Sequence, residues 1–250
     1  MKKITGFLLL LCLFMALSSS VYAGVLNKGT IIVGTESTYP PYEFRDEKNN
    51  LQGFDIELMK TIAEKLGKEL EWVDMPFDSL IPALLAQKID IVAAGMSATP
   101  ERAKRVAFST PYEVSMSAFI VKKDNIALKS LDDMKSKTIA VQLGTVQETF
   151  SRTVEGAKVK TFQKFDDCVR EVMLGRADAS LMDIPVAKKF LEQKDFDGKI
   201  AVAFEQEITG AGKALAMNLE EKAFAEAISS VLDEMQKSGE LETLRNKWFK

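Results

Sequence analysis

Ile89-Asp90-Ile91-Val92-Ala93-Ala94-Gly95-Met96-Ser97-Ala98-Thr99-Pro100-Glu101-Arg102 is the stretch on which the architecture turns. Ile89 to Ala93 is apolar except at Asp90 and has the length of a strand covered on both faces. Thr99 is a suitable N-cap, and Pro100 suits the first helical position, where its missing N–H is tolerated. A buried strand, a polar turn and a helix start therefore follow one another directly, with Arg102 on the first helical turn. Ligands of open α/β sheets bind at the carboxyl ends of strands, which makes this turn a candidate site. Free N–H groups at the turn and a nearby guanidinium would together suit a carboxylate; a solvated surface arginine is the bland alternative.

Outward from this stretch the same alternation repeats, as βα units with parallel strands require. Ile31 to Val33 reads as a strand, and Asp55 to Leu66 as a helix with Met59, Ile62, Ala63 and Leu66 on one face and Gly67 as its stop. Leu70 to Val73 is another strand. Asp78 is expected to cap a helix to about Ala86, with Pro82 near its first turn. After Val114 the pattern restarts, with Met116 to Val121 extended and strands at Thr138 to Val141, Val159 to Phe162 and Ala179 to Met182. Helices are expected from Asp166 to Leu174 and after Pro185. Leu215 to Met217 is one more strand, and two helices, Glu220 to Gln236 and Glu240 to Trp248, end the chain. The fold class is α/β, in two lobes without a flexible tether.

The first residues carry a secretory pattern: Lys2 and Lys3, an apolar run from Phe7 to Leu17, then a small, polar stretch from Ser18 to Ala23. The run is about eleven residues, shorter than the ~18–20 of a membrane-spanning helix, so cleavage after Ala23 and a periplasmic location are expected. Cys12 follows Leu11, not the small residue that lipidation would need. The mature chain then keeps Cys168 alone, which excludes an internal disulfide. Loss of the two leader lysines takes 33 basic residues to 31 against 36 acidic ones, and the formal charge from −3 to −5. That balance, without a basic stripe, lacks the footprint of a nucleic-acid binder. No later segment is apolar for long enough to insert in a membrane.

Catalytic groups are scarce: the chain has no histidine, so the usual bases for Ser and Cys nucleophiles are missing. No phosphate loop, nucleophile elbow or zinc spacing occurs. Three further turns resemble the first in position. Gln142-Leu143-Gly144-Thr145 follows Thr138 to Val141, and Thr145 and Glu148 have capping-box spacing. Asp183 follows Ala179 to Met182 and is either a helix cap or a partner for an ammonium group. Glu36, Tyr39 and the Pro40-Pro41 pair lie in the loop after the first strand, where prolines stiffen the chain and aromatics offer flat faces.

In order and spacing, Val33-Gly34-Thr35, Pro41-Tyr42-Glu43-Phe44, Gly53-Phe54-Asp55-Ile56-Glu57-Leu58, Leu80-Ile81-Pro82-Ala83-Leu84, Gly95-Met96-Ser97, Thr99-Pro100-Glu101-Arg102, Gly144-Thr145 and Lys247-Trp248-Phe249 resemble the polar amino acid-binding proteins of bacterial ABC importers. The resemblance covers the mature chain and implies the type II periplasmic-binding-protein fold. With the signal peptide read at 1–23, lobe 1 is expected at 24–114 plus 210–250 and lobe 2 at 115–209, with hinge strands near Tyr112 to Ser117 and Glu207 to Gly212. It gives Arg102, with the Ser97 and Thr145 N–H groups, to a ligand α-carboxylate, and Asp183, the Gly95 carbonyl and the Ser97 hydroxyl to the α-ammonium. Tyr39 and Phe77 are expected to flank the ligand side chain, and Met96, Gln142 and Met182 to line the cleft. Glu36 matches a position that can reach the far end of the ligand. An acid beside aromatic walls favours a cation, so arginine or lysine is the favoured ligand, with glutamine and histidine open. The implied partners are this amino acid and the membrane permease of an ABC transporter. The protein is expected to act as a monomer without cofactor or metal. A cyclohexadienyl dehydratase-like enzyme on the same scaffold is the alternative.

Overall fold

The computed structural model describes residues 24–125 and 127–249. The expected leader, with Cys12 and the cleavage point after Ala23, lies outside the described residues. The chain begins with β1 (Thr30–Thr35), β2 (Thr38–Tyr39), β3 (Glu43–Arg45), β4 (Leu51–Gln52), α1 (Phe54–Leu66), β5 (Glu69–Asp74) and α2 (Phe77–Leu85). β6 (Ile91–Val92), α3 (Pro100–Ala103), β7 (Val106–Phe108), β8 (Ser117–Lys122), β9 (Thr138–Gln142) and α4 (Val146–Ser151) follow. The remainder is β10 (Lys158–Phe162), α5 (Phe165–Met173), β11 (Ala179–Asp183), α6 (Ile184–Glu192), β12 (Ile200–Gln206), β13 (Ala216–Asn218), α7 (Lys222–Ser238) and α8 (Glu240–Trp248).

Two five-stranded sheets, ordered β5-β1-β6-β13-β7 and β10-β9-β11-β8-β12, form the two lobes of an α/β binding-protein fold. β1 runs parallel to β5 and β6, and β9 parallel to β10 and β11, as the βα pattern requires. β13 is antiparallel to β6 and β7, and β8 to β11 and β12. Both sheets are therefore mixed, which the expectation of parallel strands did not contain. The reason is topological. β8 and β13 each follow a crossing between sheets, so no crossover helix within one sheet constrains their direction.

Local chemistry explains the element ends. α1 stops at Gly67, in the left-handed region at φ 64°, where the N–H of Gly67 reaches the Glu64 carbonyl and that of Lys68 the Ala63 carbonyl. This is the Schellman pattern, which glycine adopts without a Cβ penalty. The Leu58, Met59 and Ile62 face of α1 packs with Ile31, Val33, Phe224 and Ile228 in the core of the first lobe. Asp90, the polar residue of the buried run, pairs with Lys28 at 2.6 Å and accepts the Ile32 N–H at 2.9 Å, so its charge is compensated. α2 departs from expectation. Pro76 occupies the N-cap, Asp78 lies inside the first turn without a capping bond, and Pro82 is interior to the helix.

Candidate ligand-binding cleft

The ends of β1 and β6 in one lobe meet those of β9 and β11 in the other, and a small cavity lies between them. Glu36, Tyr39, Phe77, Gly95, Ser97, Arg102, Gln142 and Thr145 line it, so eight of the eleven residues singled out in sequence come together. Met96 and Asp183 are not among the lining side chains. Met96 is 1 % exposed and packs with Leu80, Val92 and Val106 in the core, because alternation along the chain turns it away from the cavity. Met182 is likewise core, packed against Phe165 and Val186.

Arg102 sits one turn into α3, whose cap Thr99 accepts the Arg102 N–H at 3.3 Å. Its guanidinium is half-buried, donates to the carbonyls of Ser97 at 2.8 Å and Gly144 at 3.0 Å, and lies 5.3 Å from the centre of the Phe77 ring. Burial pulls its pKa down to about 10. Among the described residues it has no acidic partner. The Ser97 and Thr145 N–H groups also have no protein acceptor there. A cation and two unspent donors facing one cavity are the complement of a carboxylate.

Thr145 caps α4 as its spacing predicts, accepting the Glu148 N–H at 3.2 Å. The Glu148 carboxylate returns to the Gly144 N–H at 2.6 Å, one residue before the usual capping-box target, which leaves the Thr145 N–H facing the cavity unspent. Gly144 has φ 80°, and a Cβ there would lie 2.9 Å from Asp78 Cβ in the opposite lobe. Only glycine fits this approach.

At the other end, Glu36 is 4 % exposed, and its two carboxylate oxygens accept from the Thr38 hydroxyl at 2.6 Å and from Gln142 Nε2 at 3.0 Å. Burial raises its pKa against the lowering effect of those bonds. Arg102 and Glu36 border different outer pockets, one with Thr99 and Phe150, the other with Asp74 and Lys164, so they mark opposite ends of the cleft.

Asp183 takes the N-cap position of α6 but makes no capping bond. Its carboxylate turns inward and accepts from the Tyr39 hydroxyl at 2.6 Å, Gln147 Nε2 at 3.0 Å and Ser117 Oγ at 3.3 Å, and it forms an ion pair with Lys213. Burial beside that carboxylate raises the Tyr39 hydroxyl well above its ordinary pKa. The Tyr39 ring stacks on Phe165 at 4.9 Å. Lys213, Glu43, Gln147, Val146 and Phe165 are cavity residues that the sequence reading missed. Gln147 had a usable signal, since it lies in the first turn of a helix whose cap was identified. Lys213 had none, because its role depends on a partner in the other lobe.

Among the described residues, no helix is long and apolar enough to cross a membrane. A chain 36% identical, the arginine-binding extracellular protein ArtP of Bacillus subtilis (strain 168), aligns over 100% of this chain and 98% of its own length. The probable histidine-binding protein of Campylobacter jejuni subsp. jejuni serotype O:2 is also 36% identical, over 88% of this chain and 84% of its own. The structure of an ancestral arginine-binding protein bound to arginine superposes with a TM-score of 0.85 at 41% identity, covering 89% of this chain and 99% of that one. These relatives are named as binding proteins, and this chain is a binding protein rather than an enzyme, so the dehydratase alternative is set aside. Residues 31–250 match the model of the bacterial extracellular solute-binding proteins, family 3, and the chain belongs to that family.

Proposed function

We propose that the protein captures a basic L-amino acid, arginine or lysine in preference to glutamine or histidine, and presents it to the membrane permease of an ABC transporter. The observation that carries this reading is the two-ended cleft. A guanidinium without an acidic partner faces one end and the buried Glu36 carboxylate the other. The first end suits an α-carboxylate and the second a distal cation, and the ligand shuts the hinge because its contacts are divided between lobes. Arg102 and Ser97 with Thr145 hold the carboxylate, Asp183 receives the α-ammonium, and Tyr39 and Phe77 flank the side chain. The names of the arginine-binding relatives favour the same ligand.

In this reading residues 1–23 are a signal peptide cleaved after Ala23, and the mature chain acts as a periplasmic monomer. Lobe 1 comprises 24–114 plus 210–250 and lobe 2 115–209, a division supported by the membership of the two sheets. Calorimetry of ligand-stripped mature protein against the standard amino acids tests the assignment. Arginine or lysine is expected to bind most tightly, in the micromolar range or below. If no amino acid binds, the assignment fails; if only uncharged ones bind, the role of Glu36 is wrong.

A further inference from the structure

Lys213 lies on the second crossing between the sheets, bridging antiparallel to both Ser97 and Glu113. Its N–H donates to the Glu113 carbonyl at 2.7 Å, and neighbouring bonds run from Ala98 to the Gly212 carbonyl and from Ala214 to the Met96 carbonyl, both at 2.9 Å. This ladder fixes the backbone so that the side chain enters the cavity, where it is 5 % exposed. Its ammonium pairs with Asp183, donates to Ser97 Oγ at 3.3 Å and lies 5.9 Å from the centre of the Tyr42 ring. Asp183 and the Ser97 hydroxyl are the side chains that an α-ammonium would need. The cleft therefore receives a carboxylate at Arg102, where no protein acid competes, while its cation-seeking end holds the chain's own cation.

We propose that Lys213 is a tethered competitor for the α-ammonium subsite, tying the lobes together without ligand and withdrawing from Asp183 when an amino acid binds. The proposal rests on the amino-acid reading above and deepens it. Glu113 offers the withdrawn lysine a second carboxylate. It is half-buried, accepts the Tyr42 hydroxyl at 2.8 Å, and borders an outward pocket with Arg245. The gain from seating a ligand ammonium on Asp183 is then offset by the pair it breaks, so the wild-type protein discriminates weakly for that group.

The test compares L-arginine with des-amino arginine, identical but for hydrogen in place of the α-ammonium, on stripped wild-type protein and on Lys213→Met. The wild type is expected to prefer arginine by about tenfold or less, and the variant by about 100-fold or more, because removing the competitor leaves Asp183 unpaired until an ammonium arrives. A wild-type preference as large as the variant's overturns the proposal. If arginine gives no heat, histidine and des-amino histidine replace it.

Small-angle scattering of the ligand-free proteins provides a reading independent of ligand identity. Lys213→Met should have the larger radius of gyration, since the open cleft hydrates Asp183. Equal radii overturn the tie between the lobes. If no amino acid binds, the functional assignment fails, and scattering alone decides the role of Lys213.

Discussion

Glu43 and Asp55 make the stability of this protein depend on pH in a way that one substitution should abolish. Both are buried, at 1 % and 0 % exposure. Asp55 Oδ2 accepts the Gly95 N–H at 2.7 Å and the Tyr112 hydroxyl at 2.8 Å. Its other oxygen and Glu43 Oε2 have no hydrogen-bond partner among the described residues, and the charge of Asp55 bears on Glu43. Burial, and then the charge of Asp55, push Glu43 well above the ordinary carboxylate range, and burial pushes Asp55 up to about 6. Glu43 therefore keeps a proton that an unfolded glutamate, with a pKa of about 4.3, has lost.

Because the folded state binds the extra proton, stability is full below about pH 4.3 and falls as pH rises, by about 1.4 kcal/mol per unit until that proton leaves. The chain has no histidine to obscure this range. Glu43→Gln removes the titrating carboxyl, so its profile should be flatter by about 1.4 kcal/mol per pH unit over the range in which Glu43 holds its proton. Asp55→Asn should flatten the profile less, because burial still raises Glu43, while its carbonyl still accepts from Gly95 and Tyr112. Equilibrium urea unfolding at pH 5, 6, 7 and 8 checks this, and parallel profiles for wild type and Glu43→Gln would refute the proton retained on Glu43.

The remaining expectations concern the cleft. Glu36→Gln should weaken arginine binding by about 10- to 100-fold, the worth of a charge-assisted hydrogen bond, and leave glutamine unaffected in the same calorimetric series. Arg102→Met should cost about 100-fold or more for any amino acid, while the ligand-free melting temperature by scanning calorimetry moves little, because the side chain bonds only two carbonyls. Gly144→Ala should lower affinity about tenfold or more and enlarge the ligand-bound radius of gyration, since its Cβ meets Asp78 only when the lobes are together.

What could be read in the sequence and what could not divide by the range of the interaction involved. Thr99 and Thr145 were legible because a cap works within three residues, and its chemistry is written in consecutive positions. Asp78 misled for the same reason: it is a good capping residue, but Pro76 holds that position, and a capping propensity does not fix where the helix begins. Asp183 is intermediate. Its place before a helix was legible, yet its carboxylate leaves the cap to Tyr39 and Lys213, which lie 144 and 30 residues away. The Gln142–Glu36 bond spans 106 positions and the Lys213–Ser97 bond 116.

No local pattern encodes such pairs, and they decide what the site can hold. Caps and turns determine where N–H groups point, so they identify a class of anion. The balance of charge in the cleft comes from residues far apart in the sequence and carried on the two lobes. A ligand must match that balance as well as fill the space, so the buried Lys213–Asp183 pair bears on it as directly as the residues that wall the cleft.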